Sequence, residues 1–241
     1  MNVVGIVAAL AAEARALSAP VWRRKTLSSV SDGTLISVSG IGAAAAAGAA
    51  QGLVTAGATA LASWGMAGGL DPTLSAGTVF LPSHVISRDG TGFTTASDWR
   101  ERLACAIASL RPVTRGTLLT SSGAIEAVAG KAAAFRETGA LAVDMESHAI
   151  AEVAATHGLP FIAVRVIVDT AHDGLPTAVV SASRSGRVHI WRLMGALALA
   201  PTDLSALVRL AVRYRAASRS LAQVARAGSL SQFAFPTVAI S

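Results

Sequence analysis

Residues 140–173 read ALAVDMESHAIAEVAATHGLPFIAVRVIVDTAHD. Val143 closes a short apolar run of strand length. Asp144 is a candidate N-cap for a helix, because its side-chain oxygen can accept from the free N–H groups of a first helical turn. Met145, Ala149, Ile150, Val153 and Ala154 then recur at helical spacing, and Gly158 and Pro160 end the helix. From Phe161 to Val168 the chain is apolar except for Arg165, the pattern of a strand buried on both faces. Asp169 stands at its C-terminal end. Open α/β sheets bind ligands at the carboxyl ends of their strands. Glu146, Arg165 and Asp169, charged residues at the edges of apolar elements, are therefore the first candidate site residues.

The rest of the chain parses in the same way. Val3–Ala9 reads as a buried first strand and Ala11–Leu17 as a short helix carrying Glu13 and Arg15. Trp22–Val30 and Thr34–Ser39 read as strands around a Ser-Asp-Gly turn. A helix is expected over Ala43–Thr55, a strand over Thr59–Trp64, and a loop over Gly65–Gly69 with Asp71-Pro72. Short strands come next at Thr78–Leu81 and His84–Ser87. Helices at Asp98–Leu110 and Ala124–Thr138 then flank a strand at Thr114–Leu119, and Ala200–Ala227 is mostly helix. Strands alternating with helices predict an α/β fold, a single domain with a mixed central β-sheet flanked by helices. That domain spans residues 1–227, with 200–227 a basic amphipathic helical region and 228–241 a loosely tied tail.

A chain of 241 residues can bury a large core. Its 52% apolar content and mean hydropathy of +0.55 raise the question of a membrane span, and no charged residue occurs from Gly33 to Leu70. Gly40, Gly42, Gly48, Gly52 and Gly57 interrupt that run, which parses better as strand, helix, strand. No basic segment precedes an apolar one at the N-terminus, so no secretory signal is expected. Cys105 stands alone, which excludes an intrachain disulfide and fits a cytoplasmic location. The net charge of +6 is concentrated after Gly174, where eight arginines face one acid, Asp203. Without interleaved aromatics or a recognition motif, this surplus does not point to nucleic acid. It reads as a solvated helix face, or as a helix on anionic lipid at the inner face of the membrane. For the second reading, Leu207, Leu210, Ala211, Tyr214, Leu221 and Val224 fall broadly on one side of Ala206–Ala227.

Gly40-x-Gly42, at a strand-to-helix junction, can set backbone N–H groups against an anion or a sugar. Position 45 is alanine, so the third glycine of a dinucleotide fingerprint is missing. Gly65-Met-Ala-Gly-Gly69 would let the backbone approach a ligand closely. These motifs fall within four ordered blocks: VGIVAALAAEARAL at 4–17, SGIGAAAAAGAA at 39–50, SWGMAGGLDPTLSAGTVFLP at 63–82, and AVDMESHAIAEVAATHGLPFIAVRVIVDTA at 142–171. On these blocks the chain resembles the nucleoside phosphorylase and nucleosidase superfamily, which includes purine and uridine phosphorylases and the methylthioadenosine/S-adenosylhomocysteine nucleosidases. The resemblance covers most of residues 3–173. The VDMES motif, Asp89-Gly90 after LPSHV, Leu175-Pro176 after RVIVD and the arginine-rich C-terminus make the chain most similar to the hopanoid-associated phosphorylases, which act on adenosylhopane.

The resemblance implies cleavage of the C1′–N9 bond of an adenine nucleoside by phosphorolysis or hydrolysis. No cofactor or metal is implied, and phosphate would be a co-substrate only in phosphorolysis. Asp169 would protonate purine N7, a role that calls for a raised pKa. Glu146 would hold the 2′- and 3′-hydroxyls of the ribose, with Met145 packed under the sugar. Glu13 would position and activate the attacking water, and Arg165 would organise the nucleophile or phosphate. An arginine in an apolar strand needs a partner, and Glu13 is the candidate. Met66 stands where relatives often carry serine; it removes a hydroxyl, adds apolar bulk and fits a greasier substrate. Gly68 belongs to the same substrate-binding block, and Ile125 takes the purine-stacking position in place of an aromatic.

A homodimer is also implied. His148 and His157 are expected to be structural, and Cys105 to be core. His172 and Asp173 would tune Asp169 without forming a metal site. The alternatives are a methylthioadenosine/S-adenosylhomocysteine nucleosidase and, in another class, a non-catalytic nucleoside-binding protein. The joint presence of Glu13, Glu146 and Asp169 argues against the second, since binding alone does not require the acid.

Overall fold

A computed structural model of the chain describes residues 2–17, 28–30, 33–109, 113–174 and 204–227, together with Leu230 and Ala234. Most of the strand expected over 22–30, Ser31 and Asp32 of the turn, Leu175-Pro176, Arg184, Arg187, Arg192 and most of the tail lie outside the described residues. Among those described, eleven strands and six helices occur. The first half comprises β1 (Val4–Ala8), α1 (Ala11–Arg15), β2 (Ser28–Val30), β3 (Thr34–Val38), α2 (Ala43–Thr55), β4 (Ala60–Gly69), β5 (Val79–Phe80), β6 (His84–Ser87) and β7 (Gly92–Thr94). Then come α3 (Ser97–Ile107), β8 (Val113–Thr114), β9 (Thr117–Thr120), α4 (Val128–Thr138), β10 (Ala142–Asp144), α5 (Ser147–Thr156), β11 (Phe161–Asp169) and α6 (Leu204–Arg226).

The strands form one mixed sheet. β3, β1, β4 and β11 are parallel neighbours, which suits their nearly unbroken burial. β6, β9 and β10 form a second parallel set, but β10 runs antiparallel to β4. The sheet therefore divides along β4. Its first half, Ala60–Trp64, lies between β1 and β11, and β1 ends at Ala8 opposite Trp64. Beyond that point β10 takes over the edge β1 has vacated, with Val143 opposite Gly68 and Ala142 opposite Gly69.

The loop expected over Gly65–Gly69 is thus strand. Its glycines answer to crowding: a Cβ on Gly65 would lie 2.7 Å from Glu13 Oε1 and 3.0 Å from Arg165 Nη1. The strand expected at Thr114–Leu119 is two strands, β8 and β9, which part at Gly116 with φ of +150°. Helix α4 starts at Val128 rather than Ala124; no side chain caps its N-terminus, and Ala124 and Ile125 line a cavity instead.

Alternate residues of β1 feed two cores, as a period of two requires. Val7 joins Ala50 and Leu53 of α2 and Ile150 and Ala154 of α5. Val4, Ile6 and Ala8 join the opposite core, with Trp99, Leu103 and Ile107 of α3 and Ala217, Leu221 and Val224 of α6. Helical spacing puts Leu221 and Val224 on a candidate lipid-facing stripe, but they are spent on the protein's own core. No helix among the described residues is long and apolar enough to cross a membrane. Cys105 is exposed rather than core, because α3 buries the face carrying Trp99, Leu103, Ala104 and Ile107.

Candidate active site

Three carboxylates converge where the sheet divides. Glu13 lies on α1, directly after β1; Glu146 comes two residues after β10; Asp169 ends β11. They are 5%, 8% and 6% exposed, and all three line one cavity of about 200 Å³. Met66, Gly68, Ile125 and Met145 line it as well. Of the predicted site residues, only Arg165 is absent from its wall.

Glu13 is held by backbone donors. Its Oε2 accepts from the Leu10 N–H at 3.0 Å and its Oε1 from the Met66 N–H at 3.0 Å. The Trp64 indole donates to its carbonyl at 3.1 Å. Burial pushes the carboxyl above its ordinary range, against the opposing charge of Arg165 and these backbone bonds.

Glu146 rests on the glycine turn. Its Oε1 accepts from the Gly42 N–H at 2.8 Å and its Oε2 from the Met145 N–H at 3.3 Å. Gly42 has φ of +103° and stands at the N-cap of α2. The Gly40-x-Gly42 turn does present an N–H to an anion, but that anion is the protein's own carboxylate. Burial, and after it the charge of Asp144, pushes Glu146 up to about 7.

Asp169 sits just past a register shift in β11, opposite Gly68. Such irregularities re-aim side chains near active sites. A Cβ on Gly68 would come within 3.2 Å of Asp169 Oδ2. Burial pushes this carboxyl up, while the Lys131 ammonium pulls it down. Lys131 comes from α4, is 1% exposed, and forms an ion pair with Asp169 Oδ2. Asp173 also acts on Asp169, its charge raising the pKa, whereas His172 is exposed. The Asp173 carboxylate accepts from the Thr170 N–H at 3.0 Å and hydroxyl at 2.7 Å, and pairs with Arg213 of α6 at 2.7 Å.

Arg165 departs from the prediction. It is 3% exposed, and its ion pair is with Asp144, not Glu13. Its Nε donates to Asp144 Oδ2 at 2.9 Å, and its Nη2 donates to Ser63 Oγ at 2.5 Å and Ser147 Oγ at 2.9 Å. Asp144 also accepts from the Thr120 hydroxyl at 2.6 Å and the Ser147 N–H at 3.2 Å. The N-cap of α5 is Glu146 rather than Asp144; Asp144 ends β10, accepts from the first N–H of the helix and serves as the counter-ion of Arg165. Several charge-assisted bonds on one carboxylate outweigh what a single pairing with Glu13 would provide.

Sequence reasoning missed Lys131, Ser63 and Ser147. Lys131 carried a signal: it is a lone cation among small residues, three positions from Ala134, the other buried residue of α4. His84, His148, His157 and His172 stay off the cavity wall. His148 packs against Phe93 with ring centroids 5.1 Å apart, and His157 Nε2 lies 3.1 Å from Gln51 Oε1. No group of His, Cys, Asp or Glu among the described residues is arranged to hold a metal ion.

Residues 4–186 match the family model of the phosphorylase superfamily. The chain belongs to this superfamily. It is an enzyme of the nucleoside phosphorylase and nucleosidase kind. A search of curated proteins finds no match. Among solved structures, a Neisseria meningitidis 5′-methylthioadenosine/S-adenosylhomocysteine nucleosidase in complex with methylthio-immucillin-A aligns with a TM-score of 0.70 at 18% identity, over 93% of this chain and 96% of that one. A putative methylthioadenosine nucleosidase from Weissella paramesenteroides aligns with a TM-score of 0.64 at 23% identity, over 81% and 98%. Futalosine hydrolase of Helicobacter pylori aligns with a TM-score of 0.63 at 16% identity, over 70% and 88%. At these identities the likeness speaks for the fold of this superfamily member.

Proposed function

We propose that this enzyme cleaves the N-glycosidic bond of an adenine nucleoside and releases adenine, with adenosylhopane as its preferred substrate. The observation that carries the reading is the convergence of Glu13, Glu146 and Asp169 on one cavity, each with its carboxyl raised by burial. Pairs of carboxyls on opposite sides of a sugar are the general solution for glycosyl transfer. As the C1′–N9 bond breaks, its electron pair passes to the base, and Asp169 delivers a proton to N7. Glu146 accepts from the 2′- and 3′-hydroxyls beside the developing positive charge, an interaction that strengthens towards the transition state. Met145 packs under the sugar and Ile125 against the base.

The apolar wall of Leu10, Ile41 and Met66 supports a large apolar 5′ substituent. The nucleophile is water, which adds to C1′ and gives its proton to Glu13. Two features favour water over phosphate: Arg165 is absent from the cavity wall, with Nε and Nη2 engaged by Asp144, Ser63 and Ser147, and the Glu13 carboxyl lies on that wall. The working unit is a homodimer, which sedimentation analysis would test. The deciding assay is adenine release from adenosylhopane and from methylthioadenosine, each with and without phosphate. Phosphate-independent release from adenosylhopane alone is expected. Preference for methylthioadenosine would make the chain an ordinary nucleosidase, phosphate dependence would overturn the choice of nucleophile, and no release would overturn the reading.

A further inference from the structure

An ammonium group has three N–H donors, and Lys131 has all three engaged. One is in the ion pair with Asp169 Oδ2; the others meet the carbonyl oxygens of Thr170 at 2.8 Å and Asp173 at 2.9 Å. All three acceptors belong to the end of β11 and the turn directly after it. No donor is left for a substrate, although Lys131 lies on the cavity wall. The acid is arranged the other way: Asp169 Oδ2 is taken, while Oδ1 has no hydrogen-bond partner among the described residues. A cation buried to 1% exposure is costly unless it is paired and hydrogen-bonded, and every bond that meets that cost here also fixes the 169–173 turn.

We infer that Lys131 is a positioning residue for the acid: it clamps Asp169 Oδ2 and the turn behind it, so that Oδ1 alone is presented to the leaving base. The inference rests on Asp169 being the acid of the proposed reaction. The clamp has an electrostatic consequence. A positive charge on Oδ2 favours the ionised carboxylate and makes Asp169 a stronger acid than burial alone would. Effective acids have a pKa near the working pH, and Lys131 counters burial in that direction. The other charged groups acting on Asp169 are Asp173 in its own turn, which raises its pKa, and Arg213 of α6, which lowers it. Glu13 and Glu146 line the same cavity.

The test compares the pH dependence of kcat/KM for adenine release in the wild type, Lys131→Met and Lys131→Gln. Without the ammonium, Asp169 holds its proton to higher pH, so the alkaline limb should move up by about one pH unit. The plateau should fall by about 10- to 100-fold, part of the ~10²–10⁴-fold that general acid help contributes. An unmoved limb in folded variants, whatever their stability, would overturn the inference. A second readout does not depend on turnover: the carboxyl ¹³C resonance of Asp169 in the ligand-free protein should titrate at higher pH in Lys131→Gln than in the wild type. If both variants fail to fold, the Lys131 ammonium ¹⁵N resonance decides. It should be detectable in the wild type and move in Asp169→Asn; an unmoved signal would overturn the clamp. If the wild type releases no adenine, the functional reading falls by itself, while the ¹³C titration still decides the pairing.

Discussion

Two buried ion pairs flank the division of the sheet, and they differ in what they leave open. Arg165–Asp144 is closed: the side chains are 3% and 1% exposed, and Ser63, Ser147 and Thr120 take up further donors and acceptors. Lys131–Asp169 is equally buried on the lysine side, at 1%, but the aspartate side chain is 9% exposed, and both residues line the cavity, to which the first pair contributes Asp144 alone. The first pair joins β10, β11 and the start of α5 into one unit. The second holds a carboxylate with one oxygen to spare. A basic residue beside a site can therefore serve structure or chemistry, and what separates the two is whether its acidic partner has an atom left over.

The largest effect expected from this contrast is that of Asp169→Asn, which keeps the shape and removes the proton. Turnover in steady-state adenine release should fall ~10²–10⁴-fold; a loss below about tenfold would assign the acid elsewhere. Next is Arg165→Met. It leaves Asp144 buried without its counter-ion, which typically costs about 3–5 kcal/mol, read as a lower denaturation midpoint in urea. The alkaline limb of the rate profile, set by Asp169, should stay where it is, whereas the acid limb should move up, because the Arg165 charge lowers the Glu13 and Glu146 carboxyls. A stability loss from Lys131→Gln equal to that of Arg165→Met, with no shift in the pH profile, would erase the distinction between the two pairs.

Glu146 sharpens the comparison through pH. Its folded pKa of about 7 lies above the ordinary value of 4.5, so between these pH values the folded protein binds more protons than the unfolded chain. Stability from this group is whole below about 4.5 and is lost as pH rises through about 7. Tm measured across this window should decline less in Glu146→Gln than in the wild type. The smallest effect is that of Arg213→Gln. Its pair with Asp173 is 29% and 18% exposed, and partly exposed pairs contribute about 0–1 kcal/mol. Tm should move slightly, and the Asp169 limb should shift upward by less than in Lys131→Gln.

The pattern of residues carried much of this site. Asp169 after an apolar run and Glu146 after a short strand were legible because strand ends in α/β sheets are where ligands bind, whereas Glu13 was singled out only by the family resemblance. Gly65–Gly69 misled, because a glycine-rich run reads as a turn when its neighbours are unknown. Here glycines occupy strand because Glu13, Arg165 and Asp169 press against their backbone. Arg165 stands out in the sequence for being out of place in an apolar strand, a property that a closed structural pair shares with a catalytic one.

Local chemistry alone determined the alternation of apolar strands and helices, the length of α2, the stops at Gly139 and Gly158, and the candidacy of Glu146 and Asp169. Those depend on spacing and conformational preference within a few residues. Tertiary structure decided the partners. Asp144 lies 21 residues from Arg165, Lys131 38 from Asp169, and Gly42 104 from Glu146. Which base meets which acid depends on how β10 crosses to β4 and where α4 and α5 settle on the sheet. Burial then converts those meetings into the proton affinities that the proposed chemistry needs.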